Sequence, residues 1–113
     1  MKISDIVSLL DLSVFTSQAA LDRPASGGYA GDLLSDVMAH GRKDDVWLTI
    51  QVHPNIVAVA VLKELAGIIL VNGREPAAET VKQADQERIS LLGTRLSAFE
   101  LAGRLHGLGL KGA

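Results

Sequence analysis

His53 stands in Gln51-Val52-His53-Pro54-Asn55 and Arg74 in Val71-Asn72-Gly73-Arg74-Glu75-Pro76, while Tyr29 and Asp32 belong to Gly27-Gly28-Tyr29-Ala30-Gly31-Asp32. An imidazole titrates near neutral pH and can act as donor, acid or base. A guanidinium forks onto carboxylate or phosphate, and glycines let backbone N–H groups approach a phosphate at a helix start. Each segment also has a plain structural reading. His53 can finish a loop by bonding to backbone, and Asn72 with Gly73 can turn the chain at positive φ ahead of a helix begun by Glu75 and Pro76. The loop before Asp32 has no lysine and gains negative charge from Asp32, which favours a turn and helix cap over an anion site. The candidate ligand-binding residues are Gly28, Tyr29, Asp32, His53, Asn55, Asn72, Gly73, Arg74 and Thr94.

No catalytic residue is assigned, because no motif ties a serine or carboxylate to His53. Asp44-Asp45 reads as a solvated acidic pair in a turn, since hard cations recruit more oxygen ligands. His40 and His106 have no metal spacing and read as surface residues. No metal and no cofactor is expected. Trp47, alternating with apolar neighbours on a strand, is expected in the core or an interface.

Positioning these groups requires regular elements around them. Ile3, Ile6, Val7 and Leu10 recur at helical spacing with Ser4 placed to cap them. Residues 12–15 read as a strand, and residues 16–31, rich in small and polar types, as an irregular connection. Leu33, Leu34, Val37 and Met38 form the next helical stripe, stopped by Gly41, and residues 46–50 a β-rich run. Residues 56–62 suit strand or buried helix, and Pro54 at the first helical position decides for helix. Residues 68–71 and 89–92 read as buried strands, with a helix beginning at Pro76 between them that turns Ala77, Val81 and Ala84 inward. Ser97-Ala98-Phe99-Glu100 is a capping-box pattern opening a last helix. Alternation of this kind predicts a three-layer α/β/α fold with a mostly parallel sheet of about four strands. Ligand crevices in such sheets lie outside the carboxyl ends of the strands, where all three opening segments fall.

The 113 residues suffice for one core and make a single domain, 1–113. With 48% hydrophobic and only 4% aromatic residues, that core must be mainly aliphatic. A net charge of −2 and scattered basic residues argue against nucleic acid as a partner. No apolar run is long enough to span a bilayer, no signal-peptide core opens the chain, and cysteine is absent, so cytoplasmic residence is the expectation.

Residues 3–7 through 12–16, and residues 89–94 through 97–100, resemble the DRTGG domain. That domain is a regulatory module of some phosphotransacetylases and CBS-domain proteins, and is similar to the N-terminal domain of HPr kinase/phosphorylase. The stretches 28–38 and 52–56 resemble its stand-alone bacterial branch in particular. This chain has Val52-His53-Pro54 where the family shows Asp-Arg-Thr, and Asn72-Gly73 where it shows Gly-Gly. It also has no G-x-x-x-x-G-K-S/T loop, so the kinase activity of that relative does not transfer. The resemblance implies a non-catalytic sensor that binds a small metabolite or nucleotide and signals to a partner such as an enzyme. The apolar composition of so short a chain adds the expectation of a homodimer. The alternatives are a ligand-free protein–protein adaptor and a small enzyme using His53 as acid or base.

Overall fold

Continuous apolar runs need cover on both faces of a sheet, and the computed structural model supplies it. It describes the backbone of residues 1–113 and all side chains except those of Gln18 and Ala19. The helices are α1 (Ile3–Leu10), α2 (Leu34–His40), α3 (Asn55–Leu62), α4 (Ala78–Gln86) and α5 (Ala98–Gly107). The strands are β1 (Ser13–Val14), β2 (Gly27–Ala30), β3 (Asp45–Thr49), β4 (Gly67–Leu70) and β5 (Ser90–Gly93), and a 3₁₀ turn covers Gln18–Asp22. Sheet order is β1-β5-β4-β3-β2. Strands β2 to β5 run parallel in chain order, and β1 closes the β5 edge antiparallel, with Ser13 opposite Gly93.

Crossovers of one hand that step in one direction place their helices on one face. Val37 of α2, Ile56 and Ala60 of α3 and Ala84 of α4 accordingly pack with Trp47, Ile68 and Leu91. The opposite face holds Ile3 and Ile6 of α1 and Leu101 and Leu105 of α5, against Val46, Leu48, Ile69 and Leu92. Adjacent strand residues thus serve opposite cores, giving the expected three-layer α/β/α arrangement. Trp47 is fully buried and its indole N–H donates to the Gly31 carbonyl at 2.8 Å.

The sheet has five strands because residues 27–30, expected in an irregular connection, pair with β3 as β2. Two glycines and an alanine carry almost no strand signal, and at Gly27 what selects the residue is closeness. A Cβ on Gly27 would lie 2.5 Å from Asp45 Oδ1 and 2.8 Å from the Lys111 carbonyl. Three element starts also differ in detail from expectation. Lys2, not Ser4, is the N-cap of α1, and its N–H donates to Asp5 Oδ2 at 2.8 Å. Pro54 is the N-cap of α3 rather than its first residue, and Pro76 precedes Ala77, the N-cap of α4. At α5 the Ser97 hydroxyl accepts the Glu100 N–H at 3.2 Å as expected, while the Glu100 carboxylate lies 4.0 Å from Arg104.

Asp45 is the one acid that departs wholly from its expected setting. It is 2% exposed, accepts the Arg42 N–H at 2.9 Å and lies 3.6 Å from the Arg42 guanidinium. Asp44 pairs with Arg23 at 3.7 Å, so the two acids brace the entry to β3 rather than forming a solvated pair.

Candidate functional site

All parallel strands end on one edge, but their chains do not all leave in the same direction. From β4 the chain passes to α4 on one face, and from β5 to α5 on the other. Such a parting opens a crevice at the carboxyl edge. A cleft of about 210 Å³ lies there, between the loop after β4 and the loop after β5.

Backbone bonds fix both loops. Asn72 and Gly73 have φ of 59° and 68°, a left-handed pair that turns the chain tightly and that asparagine and glycine tolerate best. The Asn72 N–H donates to the Leu96 carbonyl at 2.9 Å, and the Gly73 N–H to the Thr94 carbonyl at 2.8 Å. The Thr94 N–H donates back to Leu70 at 2.9 Å, and its hydroxyl oxygen accepts the Leu96 N–H at 3.2 Å. Arg74 on one loop and Arg95 on the other thereby line the same cleft, the Arg95 stem lying beside Gly73, where a Cβ would stand 3.9 Å from its Cγ. Gly93 also lines the cleft, where a Cβ would stand 2.7 Å from the Phe15 ring, so only glycine lets that ring come so close.

Arg74, Arg95 and Glu75 are exposed, and none takes part in an ion pair among the described residues. Two guanidiniums with a hydroxyl and a tight backbone turn suit a phosphate or carboxylate, and Glu75 supplies an acceptor for hydroxyl or amino groups. A wider groove of about 450 Å³ continues past Thr94 and Arg95 to Asp11 and Arg104.

Of the sequence candidates, the cleft gathers Gly73, Arg74 and Thr94, with Asn72 making the turn behind them. The others lie elsewhere. Gly28 and Tyr29 are in β2, at the far edge of the sheet. The Tyr29 hydroxyl donates to the Asp36 carboxylate, and that bond, with burial and the Asp36 charge, pushes the phenol up to about 12. Asp36 also lies 3.6 Å from His40. Asp32 Oδ1 accepts the Thr49 hydroxyl and the Ile50 N–H, each at 2.9 Å, and Gln51 donates to the Asp32 carbonyl at 2.9 Å. It braces two corners together. His53 and Asn55 are exposed at the β3–α3 corner, outside the cleft.

Sequence reasoning missed Arg95, Phe15 and Ser13. Arg95 follows β5 at the same rim where Arg74 follows β4, and the carboxyl-edge rule would have marked it. Phe15 and Ser13 reach the site only through the pairing of β1 with β5, which no local signal announces.

No family model matches the sequence, and no curated protein matches it. Among solved structures, the chain is similar to the CBS and DRTGG domains of the regulatory region of a Clostridium perfringens pyrophosphatase, solved with its activator, diadenosine tetraphosphate. The TM-score is 0.75 at 16% identity, over 96% of this chain. The fold is DRTGG-like. This chain spans about half of that structure, 46% of its length. The DRTGG-like fold agrees with the resemblance read from residues 3–16 and 89–100. Among the described residues, no helix is long and apolar enough to cross a membrane, and no group of three or more His, Asp or Glu is placed to hold a metal.

Proposed function

We propose that this chain is a non-catalytic regulatory domain that binds a nucleotide or phosphorylated metabolite and passes the signal to a partner protein, such as an enzyme. The observation that carries the reading is the cleft at the loops after β4 and β5, which Arg74 and Arg95 both line with no ion pair to either among the described residues. The matched pyrophosphatase region supports it, being a regulatory region solved with an activating nucleotide. In this reading Arg74, Arg95 and Thr94 hold phosphate oxygens, the Gly73 turn keeps the backbone clear of them, and Phe15 offers an aromatic face.

A thermal-shift and calorimetric screen with inorganic pyrophosphate, ATP, AMP and diadenosine tetraphosphate tests this on wild type, Arg74→Ala and Arg95→Ala. A ligand at about 100 times its Kd stabilises the native state by about 2.7 kcal/mol. The expected result is a clear rise in Tm that either substitution abolishes. Silence of the wild type towards every phosphate compound would sink the proposal. A second copy is the partner proposed for the α2–α3 face, where Met38, Val61 and Leu62 are 37%, 39% and 69% exposed. Light scattering that shows a monomer throughout the micromolar range would remove that part.

A further inference from the structure

The far edge of the sheet carries an arrangement that the arginine cleft does not use. Alternate residues of an edge strand turn both N–H and C=O outward. The Gly31 N–H points inward to the Leu48 carbonyl at 3.1 Å, whereas the Gly28 N–H points outward to the Lys111 carbonyl at 3.1 Å. Gly28 C=O and Ala30 N–H therefore share the outward edge, where no loop or terminal backbone group among the described residues bonds to either, although Gly112 lies beside the Gly28 carbonyl, a Cβ on it standing 4.0 Å from that oxygen. They form an acceptor and a donor side by side.

These groups border an apolar slot of about 170 Å³. Leu48, Ala102, Leu105 and Leu110 line it, and the small residues of β2 leave it open. A dry cavity of about 150 Å³ accepts one benzene ring, so this space is matched to a single flat ring system. Lys111 and His106 stand at the mouth, where the Lys111 ammonium donates to the His106 carbonyl at 3.4 Å.

We propose that this slot takes the adenine ring of a nucleoside or nucleotide, with the base read by the backbone of β2. The amino group of adenine donates to Gly28 C=O, and its neighbouring ring nitrogen accepts from Ala30 N–H. The apolar walls cover the ring faces, and Lys111 at the mouth complements an attached phosphate. An added protein strand fits less well, because Lys111 and Gly112 already lie along the edge beside Gly27 and Gly28. The inference rests on the reading of the chain as a nucleotide-binding domain, but concerns a second place on it, across the sheet from Arg74 and Arg95.

Adenosine, which carries no phosphate, separates the two. Titrated into the full-length chain and followed by amide NMR, it is expected to shift the Ala30 resonance and to bind equally well to Arg74→Ala and Arg95→Ala. Inosine presents the opposite donor and acceptor on that edge and is expected to bind at least about tenfold more weakly, a difference of about 1.4 kcal/mol. Ala30→Pro, which deletes the donor at an edge position where proline is tolerated, and Ala102→Met, which fills the slot, are each expected to abolish the shift. Equal binding of inosine and adenosine, adenosine binding that survives Ala30→Pro, or no binding at millimolar adenosine would overturn the proposal. Loss of pyrophosphate binding alone would count against the arginine cleft and leave the base slot standing.

Discussion

Asp32→Ala separates a bracing role from a ligand role, because the residue was a binding candidate by sequence and is a strut in the structure. Its carboxylate accepts the Thr49 hydroxyl and the Ile50 N–H, each at 2.9 Å. Thr49 is 1% exposed, so removing the carboxylate strands a buried hydroxyl proton, at a cost of about 1–3 kcal/mol. The Ile50 N–H is half-buried and within reach of water, which limits its share to about 0.5 kcal/mol. Together these give a destabilisation of about 2 kcal/mol, and at about 4 °C per kcal/mol for a domain of this size Tm should fall by about 8 °C. Asp32→Asn keeps an acceptor oxygen and should lose only about half as much, about 1 kcal/mol. In a double-mutant cycle with Thr49→Val, measured by urea denaturation, the coupling should be about 1 kcal/mol. Binding of pyrophosphate should be unchanged at temperatures where the variant is folded. The reasoning fails if Asp32→Ala melts within about 1 °C of wild type, if the coupling is zero, or if ligand binding disappears while Tm stays put.

Tyr29 is the only tyrosine, so absorbance near 295 nm, an approximate wavelength for phenolate, follows it alone. Its midpoint should lie near pH 12 rather than 10, and Asp36→Asn should bring it down towards 10. Because the folded state favours the neutral phenol, the stability this bond contributes is present below pH 10 and lost as pH rises through about 12. A wild-type midpoint at 10 would show that the bond to Asp36 does not persist in solution. Gly93→Ala should displace the Phe15 ring, which would otherwise sit 2.7 Å from the new Cβ, and destabilise the chain by about 1–3 kcal/mol. An unchanged Tm together with unchanged Phe15 ring chemical shifts would contradict the packing described at Gly93.

How far the sequence could be read depended on whether a residue's role was local. The strands around Trp47, Ile69 and Leu91 were legible because apolar runs covered on both faces have a distinctive composition. The Ser97 cap was legible because it spans three residues. Strand β2 was not, since Gly27 is selected by the approach of Asp45 and Lys111 rather than by propensity, and Gly28 carries no strand signal of its own. The cleft was half legible. Gly73 and Arg74 follow a recognisable buried strand, and Thr94 follows another. Arg95, Ser13 and Phe15 join them only through sheet order, and sheet order is a long-range property. Asp45 misled because an acidic pair in a turn ordinarily faces water, and its partner Arg42 lies in the same turn with nothing to mark it as a buried clasp.

The pairing of β1 with β5 joins residues 13–14 to residues 92–93, across more than two thirds of the chain. Pairings of such separation carry a loop-closure cost that makes them intrinsically slow to form. Ser13 and Phe15 therefore join Arg74 and Arg95 only when β1 is paired with β5 and β5 with β4, and a form in which β1 has come away lacks that side of the cleft. A ligand seated there would act as a latch on global unfolding, slowing hydrogen exchange even at the most protected amides of β4. Binding at the cleft would then report on the pairing of β1 with β5 and not on the state of one loop.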